Sequence, residues 1–427
     1  MRISIEIFVL LICSLSNAQS LTKRALFLGN SYTYTNNLPQ MVADVAVSAG
    51  DTLLYDSNMP GGYTLEGHST NLVSLEKIAE GNWDYVVLQE QSQLPSFPIS
   101  QVETEVFPYA RILDSIINAE NPCAETAFFM TWGRKNGDES NCSWWPPVCT
   151  YAGMDSLLNL RYCMMADSNQ AIVSPVGAVW KYIRQHDPSI EQYQADGSHP
   201  SVAGTYAAAC SFYASFFRKD PESITFDAAL PATDAATIRA AAKTVVYDSL
   251  LTWHIGEYDP IAGFSYLDSE ELQITFINNS LYATEFQWDF GDGGTSYIMN
   301  PTHSYASPGT YEVSLVAGAC GISDTIFQTI DLEGVGISES GKSIDFTISP
   351  NPASTYFTLK IADFRGQMEL TLHSFTGLEI GHYLLVSPRT VIGTGQLPEG
   401  VYFARLMREH GGMVTQERVK LIIRRNR

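Results

Sequence analysis

The chain has 427 residues, 45 % hydrophobic and only 17 % charged, which excludes intrinsic disorder and fits roughly two or three globular domains. Its 46 acidic against 25 basic residues give a formal charge of −21. Such a surface repels phosphate backbones, so nucleic acid is not an expected partner, and polyanions are disfavoured unless a local basic pocket exists, of which the sequence shows none.

Residues 1–18 read as a secretory signal peptide. Arg2 precedes an apolar run over residues 3–15, and Ser16-Asn17-Ala18 places small residues where cleavage after Ala18 needs them. The run is too short to span a bilayer, and no other stretch is long and apolar enough to do so, so an exported protein without a membrane span is expected.

Ala25-Leu26-Phe27-Leu28 reads as a buried strand and runs into the polar turn Gly29-Asn30-Ser31. A helical pattern over residues 38–49 follows, with Met41, Val42, Val45 and Ala49 on one face. A serine on the turn after the first strand of an α/β sheet stands at the carboxyl edge, where such folds place ligands. The same turn is also an ordinary helix-capping sequence. Residues 51–56 form a short strand, Pro60-Gly61-Gly62 a turn, and residues 65–79 a helix opened by His68, which reads as structural. The apolar stretch 83–88 runs into Gln89-Glu90-Gln91-Ser92. A helix over 101–119 and a strand over 126–132 come next.

The insertion over 134–151 is rich in Asn, Trp, Pro and Cys and is long for a loop at this edge, which marks it as a binding loop. Trp132, Trp144 and Trp145 offer faces for sugar rings or pack into the core; both readings stand. A strand over 171–176 and a helix over 176–186 lead to Asp196-Gly197-Ser198-His199-Pro200, and helices over 201–217 and 233–251 close the domain. An acid and a histidine three residues apart on one loop can orient and supply a base to a distant serine. Ser31, His199 and Asp196 are therefore the candidate nucleophile, base and orienting acid. The Gly-x-Ser-x-Gly elbow is absent, since Thr33 stands two positions after Ser31.

Over residues 22–250 these blocks resemble the SGNH (GDSL-type) hydrolase superfamily. Gly29-Asn30-Ser31 stands for its Gly-Asp-Ser block, and Asp196 to His199 for its Asp-x-x-His block. The resemblance implies a flavodoxin-like, three-layer α/β/α domain with a parallel sheet over residues 19–255, and ester hydrolysis through an acyl-serine. The superfamily's second block is a glycine whose N–H enters the oxyanion hole. Gly62 matches it, with a plain Pro-Gly-Gly turn as the alternative. Its third block supplies an asparagine amide, where this chain offers Gln89 or Gln91; Gln89 is preferred because it directly follows the strand. The expected oxyanion hole is thus Ser31, Gly62 and Gln89. The exported setting and the aromatic loop suggest an acylated carbohydrate as substrate, with other esters, lipids or thioesters also open to the superfamily. A glycan-binding protein that has lost catalysis is the competing reading.

From about Pro260 the pattern changes to short alternating strands, an all-β sandwich signature. Phe286-Gln-Trp-Asp-Phe-Gly-Asp-Gly293 and His303-Ser-Tyr-Ala-Ser-Pro-Gly-Thr-Tyr311 resemble a PKD-type module over 258–333. The resemblance implies a spacer with Trp288 in its core and Asp289 and Asp292 shaping its turn. Three further motifs are Phe346-Thr-Ile-Ser-Pro350-Asn-Pro-Ala-Ser, Leu397-Pro-Glu-Gly-Val-Tyr-Phe and Lys420-Leu-Ile-Ile-Arg-Arg. Together they resemble the C-terminal sorting domain of type IX secretion over 340–427, a second small β-sandwich. That implies the type IX machinery as a partner and a secreted or cell-surface location.

Beyond the leader the cysteines are even in number. Cys142 and Cys149 flank Ser-Trp-Trp-Pro-Pro-Val and can close that loop, Cys123 and Cys163 are candidates for a second bridge, and Cys210 reads as a buried thiol. Their spacing does not suit zinc, and no metal or cofactor is expected.

Overall fold

The computed structural model describes residues 20–269, 272–332 and 344–424, apart from 363, 365–367, 375–377, 396 and 411–412. The predicted leader lies outside the described residues.

The apolar run beginning at Ala25 is the inner part of a longer strand, β1 (Thr22–Leu28), which lies between β2 (Thr52–Asn58) and β3 (Tyr85–Leu88). With β4 (Glu125–Phe129) and β5 (Ile172–Ser174) they form a five-stranded parallel sheet in the order β2-β1-β3-β4-β5. Parallel neighbours need long crossovers. The helices are α1 (Ser31–Tyr34), α2 (Leu38–Ser48), α3 (Leu65–Thr70), α4 (Leu72–Ala79), α5 (Ile99–Glu105), α6 (Phe107–Glu120), α7 (Glu139–Cys142), α8 (Tyr151–Asn169), α9 (Val176–His186), α10 (Val202–Phe217) and α11 (Ala232–Val245). α10 packs on α2, α9 and α11, while α4 lies against β1 and β2 and α8 against β4 and β5. The predicted flavodoxin-like three-layer domain is the one observed.

Burial explains why these runs are so apolar. Ala25 to Leu28 and Tyr85 to Leu88 are buried on both sheet faces, and Phe27 meets Phe212 of α10 at a ring separation of 5.5 Å. α10 is buried from Ala203 to Phe217, which its many small residues permit. The predicted helix over 65–79 is two helices. Asn71 leaves the helical region at ψ 117° and caps α4 by accepting from the Ser74 N–H through Oδ1. α8 was not anticipated from the sequence. Its buried stripe, Met154, Leu158, Tyr162 and Met165, is spaced for a helix, but buried Asp155 and Arg161 interrupt the pattern.

β2 lies on one side of β1 and β3 on the other, so the order of strands reverses there. Such a switch point opens a crevice at the carboxyl ends of the strands. Ser31 and Gln89 follow β1 and β3 directly into it.

Among the described residues, seven strands follow. They are β6 (Phe264–Ser269), β7 (Gln273–Asn278), β8 (Glu285–Asp289), β9 (Thr295–Ser296), β10 (Thr302–Ser304), β11 (Gly309–Ala319) and β12 (Ile322–Leu332). They form sheets β10-β7-β6 and β12-β11-β8-β9. Trp288 is fully buried between Phe264 and Phe276, and Asp289 and Asp292 accept from the N–H groups of Gly291 and Gly294, so all three take the places foreseen for them. The last segment has its own core around Phe357, Leu370, Leu406 and Leu421. Its strands are β13 (Phe346–Ser349), β14 (Tyr356–Ile361), β15 (Met368–Ser374), β16 (Glu379–Leu385), β17 (Arg389–Gly393), β18 (Gly400–His410) and β19 (Met413–Ile423), in sheets β13-β14-β17 and β16-β15-β18-β19.

The disulfides agree with one expectation and correct the other. Cys142 pairs with Cys149 as anticipated. Cys123 pairs with Cys320, not with Cys163. Cys123 stands before β4 at the amino edge of the sheet, whereas Cys163 is on α8, and Cys320 is at the β11–β12 turn. This bridge closes a separation of 197 residues and ties the α/β domain to the β module after it. Loops of that size give large restrictions of the unfolded chain, worth about 2–5 kcal/mol. The double variant Cys123→Ser/Cys320→Ser should therefore lower the thermal midpoint by roughly 5–15 °C in a calorimetric scan. An unchanged midpoint would show that the bridge does not constrain the fold.

Candidate active site

Gly29-Asn30-Ser31 turns the chain sharply from β1 into α1. Glycine is needed at position 29 because a Cβ there would collide with Thr33 Oγ1 and Gln89 Oε1. Asn30 caps α1, accepting from the Tyr32 N–H at 3.1 Å through Oδ1 and from the N–H groups of Thr33 and Tyr34 through its carbonyl. Ser31 is the first helical residue, so the helix itself offers its N–H no partner.

The structure brings Ser31, His199 and Asp196 together. His199 Nε2 is 2.9 Å from Ser31 Oγ, and His199 Nδ1 is 2.6 Å from Asp196 Oδ2. Asp196 Oδ1 accepts from the N–H groups of Ser198 and His199 at 2.9 and 3.0 Å. Burial pushes the Asp196 carboxyl up, but hydrogen bonds from His199 and these two amides outweigh it and hold it below the ordinary carboxylate range. An ionised Asp196 accepts a hydrogen bond from the Nδ1–H of His199, which keeps the ring proton on Nδ1 and leaves Nε2 as an acceptor facing the serine hydroxyl. The loop is fixed from the β4 side, where Trp132 Nε1 donates to Ser198 O at 3.0 Å and the Lys135 N–H donates to Gly197 O at 2.8 Å.

Gln89 has a different part from the one expected. Its side chain is fully buried below the nucleophile turn, and Oε1 accepts from the Asn30 N–H at 2.9 Å and from the Thr33 hydroxyl at 2.8 Å. Its Nε2 donates to Glu90 O, so the amide is engaged inside the protein rather than facing a substrate. Gln91 is no substitute. Its Nε2 donates to Gln93 Oε1 and its Oε1 accepts from the Gln93 N–H, which folds it into its own turn. Gly62 is exposed at φ 68° on the turn after β2. That turn is held beside the nucleophile by Asn30 Nδ2, which donates to Tyr63 O at 2.9 Å.

Two buried residues of this floor carried no clear sequence signal. Beneath the turn, His68 Nε2 donates to Gly29 O at 3.0 Å, and burial holds the imidazole down to about 4. Sequence reasoning took His68 as structural, which fits, but not its bond to the nucleophile turn. Glu90 is fully buried, accepts from the N–H groups of Leu65 and Gln91, and has its carboxyl pushed up to about 8 by burial. It fixes the end of the Gly62 turn where α3 begins. Glu90 holds a proton in the folded chain between its ordinary value and about pH 8, where an unfolded glutamate has lost it, so folding stability falls as pH rises through that window. Glu90→Gln keeps the Oε1 acceptor and does not ionise. Its thermal midpoint should gain on wild type as pH rises from about 5 to 8; a difference independent of pH would show that Glu90 is ionised throughout.

The three tryptophans separate. Trp132 is fully buried, stacked between Tyr32 at 4.7 Å and Trp180 at 3.8 Å, and belongs to the core. It backs Tyr32, whose ring meets His199 edge-on at 5.5 Å. Trp145 is half-buried and donates to Ser96 O. Trp144 is 50 % exposed and leans on Phe97. The loop that carries both is closed by the Cys142–Cys149 bridge and centred on Asp138. This fully buried carboxylate accepts from Arg134 Nη1 at 3.0 Å, Gln93 Nε2 at 3.0 Å and Asn141 Nδ2 at 2.6 Å.

Fold and site together define a parallel α/β domain with a serine–histidine–aspartate relay at its switch point, followed by antiparallel β modules. Residues 267–332 match the PKD domain. A microbial collagenase of Vibrio alginolyticus is 46 % identical over 50 residues, which is 12 % of this chain and only 6 % of the collagenase. Among solved structures, a DUF4886 family protein of Bacteroides uniformis is 16 % identical, with 54 % of this chain and 95 % of that one covered and a TM-score of 0.46. A candidate SGNH hydrolase of Slackia heliotrinireducens is 24 % identical over 45 % of this chain and 97 % of its own, with a TM-score of 0.38. Among the described residues no helix is long and apolar enough to cross a membrane. The PKD domain and the disulfides fit an extracellular protein.

Proposed function

We propose that the α/β domain is a serine esterase acting on an acylated carbohydrate. The observation that carries this reading is the unbroken line of contacts from Asp196 through His199 to the Ser31 hydroxyl. His199 Nε2 takes the Ser31 proton as Oγ attacks the ester carbonyl carbon, and the carbonyl oxygen becomes an oxyanion. The N–H groups of Ser31 and Gly62 receive it. Collapse breaks the ester C–O bond and expels the alcohol, which takes the proton from His199. Water then attacks the acyl-serine as His199 removes its proton, and the carboxylic acid leaves with Ser31 restored.

The carbohydrate half of the reading is supported by the exposed face of Trp144 on the disulfide-closed loop. Lipase and thioesterase action use the same relay and are the alternatives. The leader over residues 1–18 and the three motifs of the last β-sandwich support export through the type IX system to the cell surface or beyond. Release of acetate from acetylated carbohydrates, set against cleavage of long-chain acyl esters and thioesters, tests the substrate. Preference for long acyl chains would overturn the carbohydrate reading, and turnover of no ester would overturn the esterase.

A further inference from the structure

The segment that carries the nucleophile grips the catalytic loop on both sides of its histidine. Tyr32, next to Ser31, shares a hydrogen bond of 2.7 Å with the hydroxyl of Ser198, the residue before His199. Asn36 Nδ2 donates at 3.1 Å to the carbonyl of Pro200, the residue after His199. The two contacts span 166 and 164 residues of chain, and between them they bracket the base.

Each of the two side chains is itself held. The Tyr32 ring is buried and lies flat on Trp132 at 4.7 Å, with 3° between the planes, so its hydroxyl has little freedom. That hydroxyl also meets Ser92 and Arg134. Asn36 stands in a 3₁₀ turn, Thr35–Asn37, at φ 55°, a left-handed conformation that asparagine tolerates. Its amide donates as well to Thr205 Oγ1 on α10 at 2.9 Å, so both of its N–H donors are spent on the far segment. Pro200 O accepts a second bond from Gln194 Nε2, within the loop's own surroundings, at 3.1 Å.

The relay needs such a grip. Asp196 is exposed and His199 only half-buried, on a loop, and loops are the mobile parts of a fold. Proton transfer requires the base to stay within a fraction of an ångström of its place. Trp132 and Lys135 tie the loop to the segment after β4, and so to the sheet. Tyr32 and Asn36 tie it to the turn that presents Ser31. Resting on the esterase reading, we infer that Tyr32 and Asn36 are positioning residues that set the distance between Ser31 Oγ and His199 Nε2, so that nucleophile and base move as one body.

The test uses the full chain. Tyr32→Phe keeps the stacked ring and removes the hydroxyl, and Asn36→Gly keeps the left-handed backbone and removes the amide. Each should lower kcat for 4-nitrophenyl acetate by about 10-fold, and the pair by about 100-fold, with KM within about twofold of wild type. Ser198→Ala should also cost about 10-fold, and added to Tyr32→Phe it should cost little more, since the two share one contact. Wild-type kcat in Tyr32→Phe/Asn36→Gly overturns the inference, as does a rise in KM that accounts for the loss, or fully additive losses from Tyr32→Phe and Ser198→Ala. A readout without substrate separates the clamp from the esterase reading. The nitrogen NMR resonance of His199 Nε2, taken at alkaline pH with the ring neutral, reports the hydrogen bond from Ser31, and Ser31→Ala protein gives its position without that bond. In Tyr32→Phe/Asn36→Gly the signal should move toward the Ser31→Ala position. That shift upholds the clamp even if wild type turns over no ester, and a signal left at the wild-type position overturns it.

Discussion

Ser31→Ala should lower ester turnover by about 10⁴- to 10⁶-fold with the fold intact. The hydroxyl's hydrogen bond runs to His199 Nε2, at a site open to solvent on one side, so its loss should change stability by less than about 0.5 kcal/mol. Asp196→Asn should cost about 10⁴-fold by a separate route. Asparagine can keep Oδ1 as the acceptor for the Ser198 and His199 N–H groups, so the loop retains its shape. Its NH₂, however, then faces Nδ1, which must become an acceptor, and the ring proton moves to Nε2 opposite the serine hydroxyl. The Nε2–H then donates to the serine oxygen, and no base remains to take the hydroxyl proton. Steady-state turnover of 4-nitrophenyl acetate alongside thermal unfolding decides the matter: activity within tenfold of wild type in Ser31→Ala would sink the nucleophile assignment.

The legible and illegible parts of this protein divide along the range of the interactions involved. Asp196 and His199 are three residues apart on one loop, and Ser31 stands on the turn after the uninterrupted apolar run Ala25 to Leu28, so local pattern exposed all three members of the relay. Trp288 and the Asp-Gly turns around it were legible for the same reason. Long-range pairings were not. Nothing near Cys123 distinguishes a partner 197 residues away from the candidate Cys163. α8 escaped notice because Asp155 and Arg161, both buried, dilute its apolar stripe. Trp132 is a related case. A tryptophan beside a polar loop has one appearance in sequence whether it faces a sugar or, as here, lies between Tyr32 and Trp180.

Gln89→Leu offers the second large effect, and it separates two roles that a sequence motif cannot. An amide that completes an oxyanion hole acts on charge formed during reaction, so its loss lowers kcat by about 10²–10³ and leaves folding unchanged. The observed contacts assign a different role. Oε1 is the acceptor for the Asn30 N–H and the Thr33 hydroxyl, both buried, at the base of the turn that presents Ser31. Leucine fills much of the same volume but accepts nothing, and each orphaned donor costs about 1–3 kcal/mol. The expected loss of stability is therefore about 2–4 kcal/mol, seen as a lower denaturant midpoint at unchanged slope. Activity should fall as well, since Ser31 rides on the loosened turn and a displacement of about 1 Å can cost on the order of 100-fold. The signature is the two losses together. A 100-fold fall in kcat at wild-type stability would instead return Gln89 to the oxyanion hole.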